Sequence, residues 1–218
     1  MKHGYTNNTD HQRGVVVKTY RGPDARTRAV VERHALTSLA ALFPVPLVVA
    51  SGPGALTTAF VKGAHGQDLL KEGRAGSVLR ESGRILRDLH TLDASLISHR
   101  ANADDVIQHG DFGPNNILFD TESFVVLAVL DWEFCSVGPA ISDIAWCEWI
   151  VRMHHPGAVQ QLDAFFVAYG TRPAWANRHA EMLRRCAWLE DFATRWDPSG
   201  PGQRVWQERA EEVARWVE

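Results

Sequence analysis

Three features of this 218-residue chain predict an α+β fold of two unequal lobes. The opening stretch reads β, α, β, β. A glycine-rich polar segment, KGAHGQD (62–68), follows it as a hinge. Beyond that, helical periodicity dominates and tryptophans accumulate. The reading is a small β-rich lobe over 1–63 and a larger, mostly helical lobe over 64–218.

Each element has its own signal. GVVVKTY (14–20) is a compact β-branched run after a glycine and reads as a strand. The polar HGYTNNTDHQRG before it reads as a loop or turn, with no strand ahead of the lysine strand. Asp24 caps a helix whose apolar positions Val31, Ala35, Leu39 and Leu42 recur every three to four residues. Pro44 and Pro46 end it. Two strands, PLVVA (46–50) and LTTAFVK (56–62), flank the turn SGPG. Past the hinge, residues 76–92 form an amphipathic helix with Val78, Ile85, Leu89 and Leu92 on one face.

Composition narrows the function class. Hydrophobic residues make up 45% and charged residues 22%, as in an ordinary globular protein. A net charge of −3 gives no basic field for nucleic acid or anionic lipid. No apolar run reaches the ~18 residues of a membrane span, and MKHGYTNNTD carries no apolar signal core. Cys135, Cys147 and Cys186 show no paired spacing and read as free thiols of a reducing cytoplasm.

The chemistry sits in HGDFGPNNILFD, 109–120. ILF and FVVLAVL are β-formers joined by the polar turn DTES, which signals a hairpin. With the turn centred between Thr121 and Glu122, Asp131 lies opposite Phe112. Strands pair about 4.8 Å apart, so Asp131 returns beside Asp111, with Asn116 nearby. Two carboxylates at one hairpin end repel unless a cation neutralises them. Oxygen ligands from Asp and Asn suit magnesium on a substrate's phosphates. Zinc is disfavoured, because no Cys or His pair stands at ligand spacing there.

HGDFGPNNILF followed by VLDWEF resembles the aminoglycoside phosphotransferase family, a branch of the protein-kinase-like superfamily. The similarity runs from about Val15 to the helix after Asp143. It implies a protein-kinase-like bilobal fold and a transfer of the γ-phosphate of ATP or GTP to a hydroxyl. By this resemblance Asp111 is the catalytic aspartate, and Asn116 and Asp131 hold Mg²⁺. His109 braces the loop without titrating, and Asp143 steadies it by hydrogen bonds. Asp111 is expected to stay ionised, favoured by the metal and by loop amides. A kinase-like lobe also needs a strand lysine and a helix glutamate; Lys18 in VVVK and Glu32, 14 residues later, supply them. FVKGAHG (60–66) takes the hinge position, where the backbone of Val61 and Gly63 meets the nucleotide base.

The acceptor is expected to be a small molecule carrying a hydroxyl: an antibiotic such as an aminoglycoside, or a sugar or amino-alcohol metabolite. From residue 141 onward 11 acidic and nine basic side chains give −2, too mild a balance to argue for a polycation. Glu148, Glu190, Asp191 and Asp197 read as solvated helix charges. Trp146, Trp149, Trp188 and Trp196 read as core packing. Adjacent His154 and His155 do not share a helix face and form no metal pair. The competing reading is a catalytically weak or inactive nucleotide-binding relative. A protein kinase proper ranks last, since DWE stands where DFG would and no APE-like segment follows.

Overall fold

The computed structural model describes residues 7–218. Strands β1 (Asn7–Gln12), β2 (Val15–Tyr20), β3 (Val48–Gly52) and β4 (Ala55–Ala59) form one antiparallel sheet in the order β1-β2-β4-β3. Helix α1 (Ala25–Leu39) crosses between β2 and β3. Lys18 is on a central strand, paired with Thr9 on one side and Leu56 on the other. Its side chain shares a face with Tyr20, two residues on.

Several local expectations are corrected here. Residues 7–12 are strand, not loop. The turn before the lysine strand is only Arg13 and Gly14, both at positive φ (47° and 82°), as a tight two-residue hairpin requires. Residues 1–6, the rest of the expected loop, lie outside the described residues. Asp24 makes no side-chain cap; its backbone is left-handed (φ 56°) and its carboxylate instead accepts from Arg195 Nη1 at 2.7 Å. Leu42 is 56% exposed. The helix stops at Leu39, so the chain leaves the 3.6-residue period, and Phe43 turns inward in its place, edge-on to Trp132. β3 starts at Val48, beyond Pro46, which has no N–H to give a ladder.

The second lobe opens with β5 (Ala64–His65), α2 (Gly66–Lys71) and α3 (Ala75–His90). β5 pairs with β7 (Ile117–Phe119), which pairs with β8 (Val126–Val129); β6 (Val106–Gln108) pairs with β9 (Ser136–Gly138). Four helices follow: α4 (Ile141–His154), α5 (Leu162–Tyr169), α6 (Trp175–Trp196) and α7 (Gly202–Ala214). On α3, Val78, Ile85 and Leu89 are buried as the periodicity predicts, with Leu79 and Leu86 beside them, whereas Leu92 lies past the helix end and is only partly buried. Gly83 lets α5 approach it: a Cβ there would stand 2.2 Å from the Phe165 carbonyl oxygen. One core runs from Tyr20 and Leu36 through Leu89 and Trp132 to Phe165, and a second gathers Trp146, Trp149, Ile150, Met182, Cys186 and Val213. The three cysteines are free and buried. Among the described residues no helix is long and apolar enough to cross a membrane.

The β7–β8 hairpin differs in register from expectation. Ile117 pairs with Val129 and Leu118 with Ala128, with an irregularity before Phe119–Val126. Asp131 therefore falls level with Asn115, not Phe112. The cause is a wider turn. Asp120 Oδ1 takes the N–H of Glu122 and Ser123 and the Ser123 hydroxyl, and Phe124 sits at φ 59°. This Asx-type turn lengthens the loop towards Val125.

Candidate active site

The segment from His109 to Asn116 is fixed from below. Gly110 is at φ 81°, and a Cβ there would lie 2.4 Å from the Phe134 carbonyl oxygen, so only glycine fits between His109 and Asp111. Asp143, on the first turn of α4, accepts from the N–H of His109 at 2.7 Å and of Gly110 at 2.9 Å. His90 Nε2 lies 3.3 Å from the same carboxylate. Asp143 is held below the ordinary carboxylate range: burial opposes this, but His90, His109 and the loop amide outweigh it. His109 is fully buried. Its Nδ1 accepts from the Asp111 N–H at 3.1 Å, which leaves the proton on Nε2 to donate to the Leu130 carbonyl at 2.8 Å. Burial pushes its pKa down, so the neutral ring links the loop to the end of β8.

Asp111 faces inward above this base. Trp146 Nε1 donates to its Oδ1 at 2.7 Å and Asn116 Nδ2 to its Oδ2 at 2.9 Å. The donors are thus side chains, not the loop amides expected. Burial and the neighbouring Asp131 charge push its pKa up to about 6, against the pull of Trp146, Arg185 and Asn116. Asn116 also donates to the Asp111 carbonyl at 2.8 Å. Its own carbonyl oxygen accepts from Leu130 N–H at 2.8 Å, which sets Asn116 next to Asp131.

Asp131 holds a left-handed backbone, φ 66°, a conformation that costs about 1 kcal/mol for a non-glycine residue. It aims the carboxylate at Lys18, whose Nζ it meets in a short ion pair, while Glu32 Oε2 takes the same ammonium at 2.5 Å. Glu32 is held in turn by the Tyr20 hydroxyl and by Trp132 N–H at 3.3 Å. Burial would lower the Lys18 pKa, but Asp131, Glu32 and Glu133 drive it far above its usual value. Burial raises Glu32 despite Lys18; Lys18 overcomes burial to hold Asp131 down. The expected residues thus form two adjoining groups, Lys18–Glu32–Asp131 and Asp111–Asn116, over a base of His109 and Asp143. Val61 and Gly63 lie just after β4. A Cβ on Gly63 would sit 3.1 Å from Leu118 Cβ and from the Phe119 carbonyl oxygen, so the linker backbone runs against β7. His65 Nδ1 donates to the Asn115 carbonyl at 2.9 Å, tying that linker to the loop.

The sequence matches the model of the phosphotransferase enzyme family over residues 3–104 and 93–181. The chain belongs to this family. No curated protein matches the sequence significantly. Solved structures share the fold of this phosphotransferase. An aminoglycoside 2'-phosphotransferase in a GDP complex superposes with a TM-score of 0.76 at 11% identity, covering 98% of this chain and 90% of that one. An aminoglycoside-3'-phosphotransferase of type VIII gives 0.67 at 19% identity, covering 78% and 84%. A choline/ethanolamine kinase family protein from Mesorhizobium loti gives 0.66 at 17%, covering 98% and 86%.

A divalent cation fits the phosphotransferase's donor set. Oxygens of Glu32, Asp131 and Glu133 lie within 4.8 Å of one another. Among the described residues, Lys18 and Arg28 are cations that pair with these three. Side-chain exposure picks the ligand among them: 28% for Asp131 against 6% for Glu32 and 1% for Glu133. Asn116 Oδ1 accepts no hydrogen bond among the described residues, and its main chain is tied to Leu130, the residue before Asp131. An all-oxygen pair of Asp131 and Asn116 suits Mg²⁺.

Several neighbours of this site have partners that the sequence does not reveal. Glu133 and Arg28 form a fully buried pair at 2.5 Å. Trp146 is a donor to Asp111 besides stacking on Trp149, with centroids 4.3 Å apart. Arg185, on α6, donates to the Gly110 carbonyl and lies over Trp188 at 4.2 Å. Glu148 is not solvated: it is buried between Arg178 and Arg152. Only DWE hinted at Glu133; the others come from helix faces whose partners are distant in sequence.

A pH dependence follows from Asp111. Its pKa is raised from 3.8 to about 6, so the folded state binds a proton that the unfolded state has released. Its contribution to stability is complete near pH 3.8 and lost as pH rises through about 6, an effect of about 3 kcal/mol. Activity runs the other way. With Asp111 as the proton acceptor proposed below, kcat/KM for transfer is expected to fall about tenfold per pH unit below that value. A rate profile flat from pH 7 to pH 5 would contradict it.

Proposed function

We propose that the chain moves the γ-phosphoryl group of ATP or GTP to a hydroxyl of a small molecule, an antibiotic such as an aminoglycoside or a sugar or amino-alcohol metabolite. The observation that carries this reading is the meeting of Lys18, Glu32 and Asp131 next to Asp111 and Asn116. Complexes of structural neighbours support the nucleotide and acceptor classes: one holds GDP, another ADP with streptomycin, a third ADP with hygromycin B.

In this mechanism Lys18, steadied by Glu32, holds nucleotide phosphate oxygens. Asn116 and Asp131 hold Mg²⁺, which when bound neutralises phosphate charge. The backbone at Val61 and Gly63 meets the base. Asp111 orients the acceptor hydroxyl and takes its proton as the new O–P bond forms. The bond from the γ-phosphorus to the bridging oxygen breaks, and the nucleoside diphosphate leaves with that electron pair. His109 and Asp143 keep the loop in register, so Asp111 is placed before substrate arrives.

The two-residue turn at Arg13–Gly14 favours a second reading, a weakly active or inactive nucleotide-binding relative, because so short a turn covers little of a triphosphate. One experiment separates the two. The purified chain is given Mg–ATP or Mg–GTP with a panel of aminoglycosides, nucleoside antibiotics, sugars and amino alcohols, and phosphate transfer is followed with and without EDTA. EDTA-sensitive transfer to one acceptor class is expected. Nucleotide binding without any turnover would decide for the second reading.

A further inference from the structure

Arg28 and Glu133 take no part in the steps above, yet both are buried, at 3% and 2% exposure. Arg28 is locked on every side. Its Nε donates to the Pro23 carbonyl at 3.0 Å, Nη2 to the Arg21 carbonyl and Nη1 to Glu133 Oε2 at 2.5 Å. Its guanidinium packs on the Phe192 and Phe134 rings, 5.5 and 6.0 Å from their centroids. Asn7, on β1, donates to the same Glu133 oxygen at 2.8 Å. That oxygen stands only 3.8 Å from Lys18 Nζ, whereas Glu32 holds the ammonium at 2.5 Å.

A buried carboxylate stripped of its partner is costly and pairs with the nearest cation. Without Arg28, that cation among the described residues is Lys18, 3.8 Å away. We propose that Arg28 is a positioning residue for Lys18: by occupying Glu133 it leaves the ammonium to Glu32 and Asp131, at the place where phosphates bind. Asn7 assists from β1, so sheet, helix α1 and the segment after β8 are set by one carboxylate. This inference rests on the phosphate-holding role of Lys18 proposed above.

The test reads nucleotide affinity, since it needs no acceptor. Mg–ADP binding is measured by calorimetry alongside the melting temperature. Arg28→Met keeps the stem and removes the charge. It is expected to raise Kd about tenfold in the wild-type background and less than about threefold in a Glu133→Gln background, where no buried charge is left to compete. A lowered melting temperature with unchanged Kd, or the same Kd loss in both backgrounds, overturns the proposal. Should Arg28→Met fail to fold, Asn7→Ala removes the other donor to that oxygen from a strand. A rise in Kd of about twofold, abolished in the Glu133→Gln background, is expected; independence of background overturns the proposal. If Lys18→Met leaves Kd unchanged, it is the underlying phosphate role of Lys18 that fails, and this inference falls with it.

Discussion

Asp111→Asn is expected to lower kcat by about 10³-fold or more while the melting temperature at pH 7.5 stays at or above that of the parent chain. The two halves of this outcome share a cause. Asp111 is buried, and burial together with the Asp131 charge opposes its ionised form. The carboxylate is therefore kept in place at a cost to stability, as active-site groups often are. Asparagine is nearly the same shape. Its oxygen still accepts from Trp146 Nε1. Its NH2 replaces the oxygen that took Asn116 Nδ2, so Asn116 keeps only its bond to the main-chain carbonyl of residue 111, a loss smaller than the relief of the buried charge. What is lost is the basic oxygen proposed to receive the acceptor's proton. Single-turnover transfer and a thermal melt decide the matter. Turnover within tenfold of the parent would remove Asp111 from the chemistry, whereas a large drop in melting temperature would make it a structural residue.

How much of this was readable beforehand depends on the range of the interaction. Residues set by local backbone geometry were legible. Asp111, Asn116 and His109 lie within one loop whose glycine, proline and asparagines fix its path, and the β7–β8 hairpin brings Asp131 back from a short distance along the chain. The Lys18–Glu32 pair was legible through the resemblance, since a kinase-like lobe needs a strand lysine and a glutamate on the next helix. The register of that hairpin was not legible. It turned on how many N–H groups Asp120 captures, and a wider turn moved Asp131 three positions along its partner. Trp146 and Arg185 were out of reach for another reason. Helix spacing shows which residues share a face but not what stands opposite. Trp146 meets Asp111 across 35 positions and Arg185 meets Gly110 across 75. A charged helix position likewise reads as solvated until its partner is known, which is why Glu148 was misjudged.

Lys18→Met should produce the largest loss of stability and should also remove nucleotide use. The ammonium serves Glu32 and Asp131 directly and Glu133 at longer range. Without it, Arg28 is the cation that the described residues leave beside three clustered carboxylates. Breaking a buried pair by deleting one partner costs about 3–5 kcal/mol, because the remaining charge has nowhere to go. The direction with pH identifies the source. Glu32 already has a raised pKa from burial, and loss of Lys18 raises it further. A raised carboxyl pKa gives stability that is lost as pH rises, so the variant should gain stability relative to the parent as pH falls from 8 to 5. Adding Glu32→Gln to Lys18→Met removes one stranded charge. It should restore much of the stability and none of the nucleotide affinity, since no cation is put back for the phosphates. Chemical denaturation across that pH range, with nucleotide titration of both variants, is the measurement. If Lys18→Met melts like the parent at every pH, the ammonium is not what holds this cluster together. If the double variant regains nucleotide affinity along with stability, Lys18 acts on the fold and not on the phosphates.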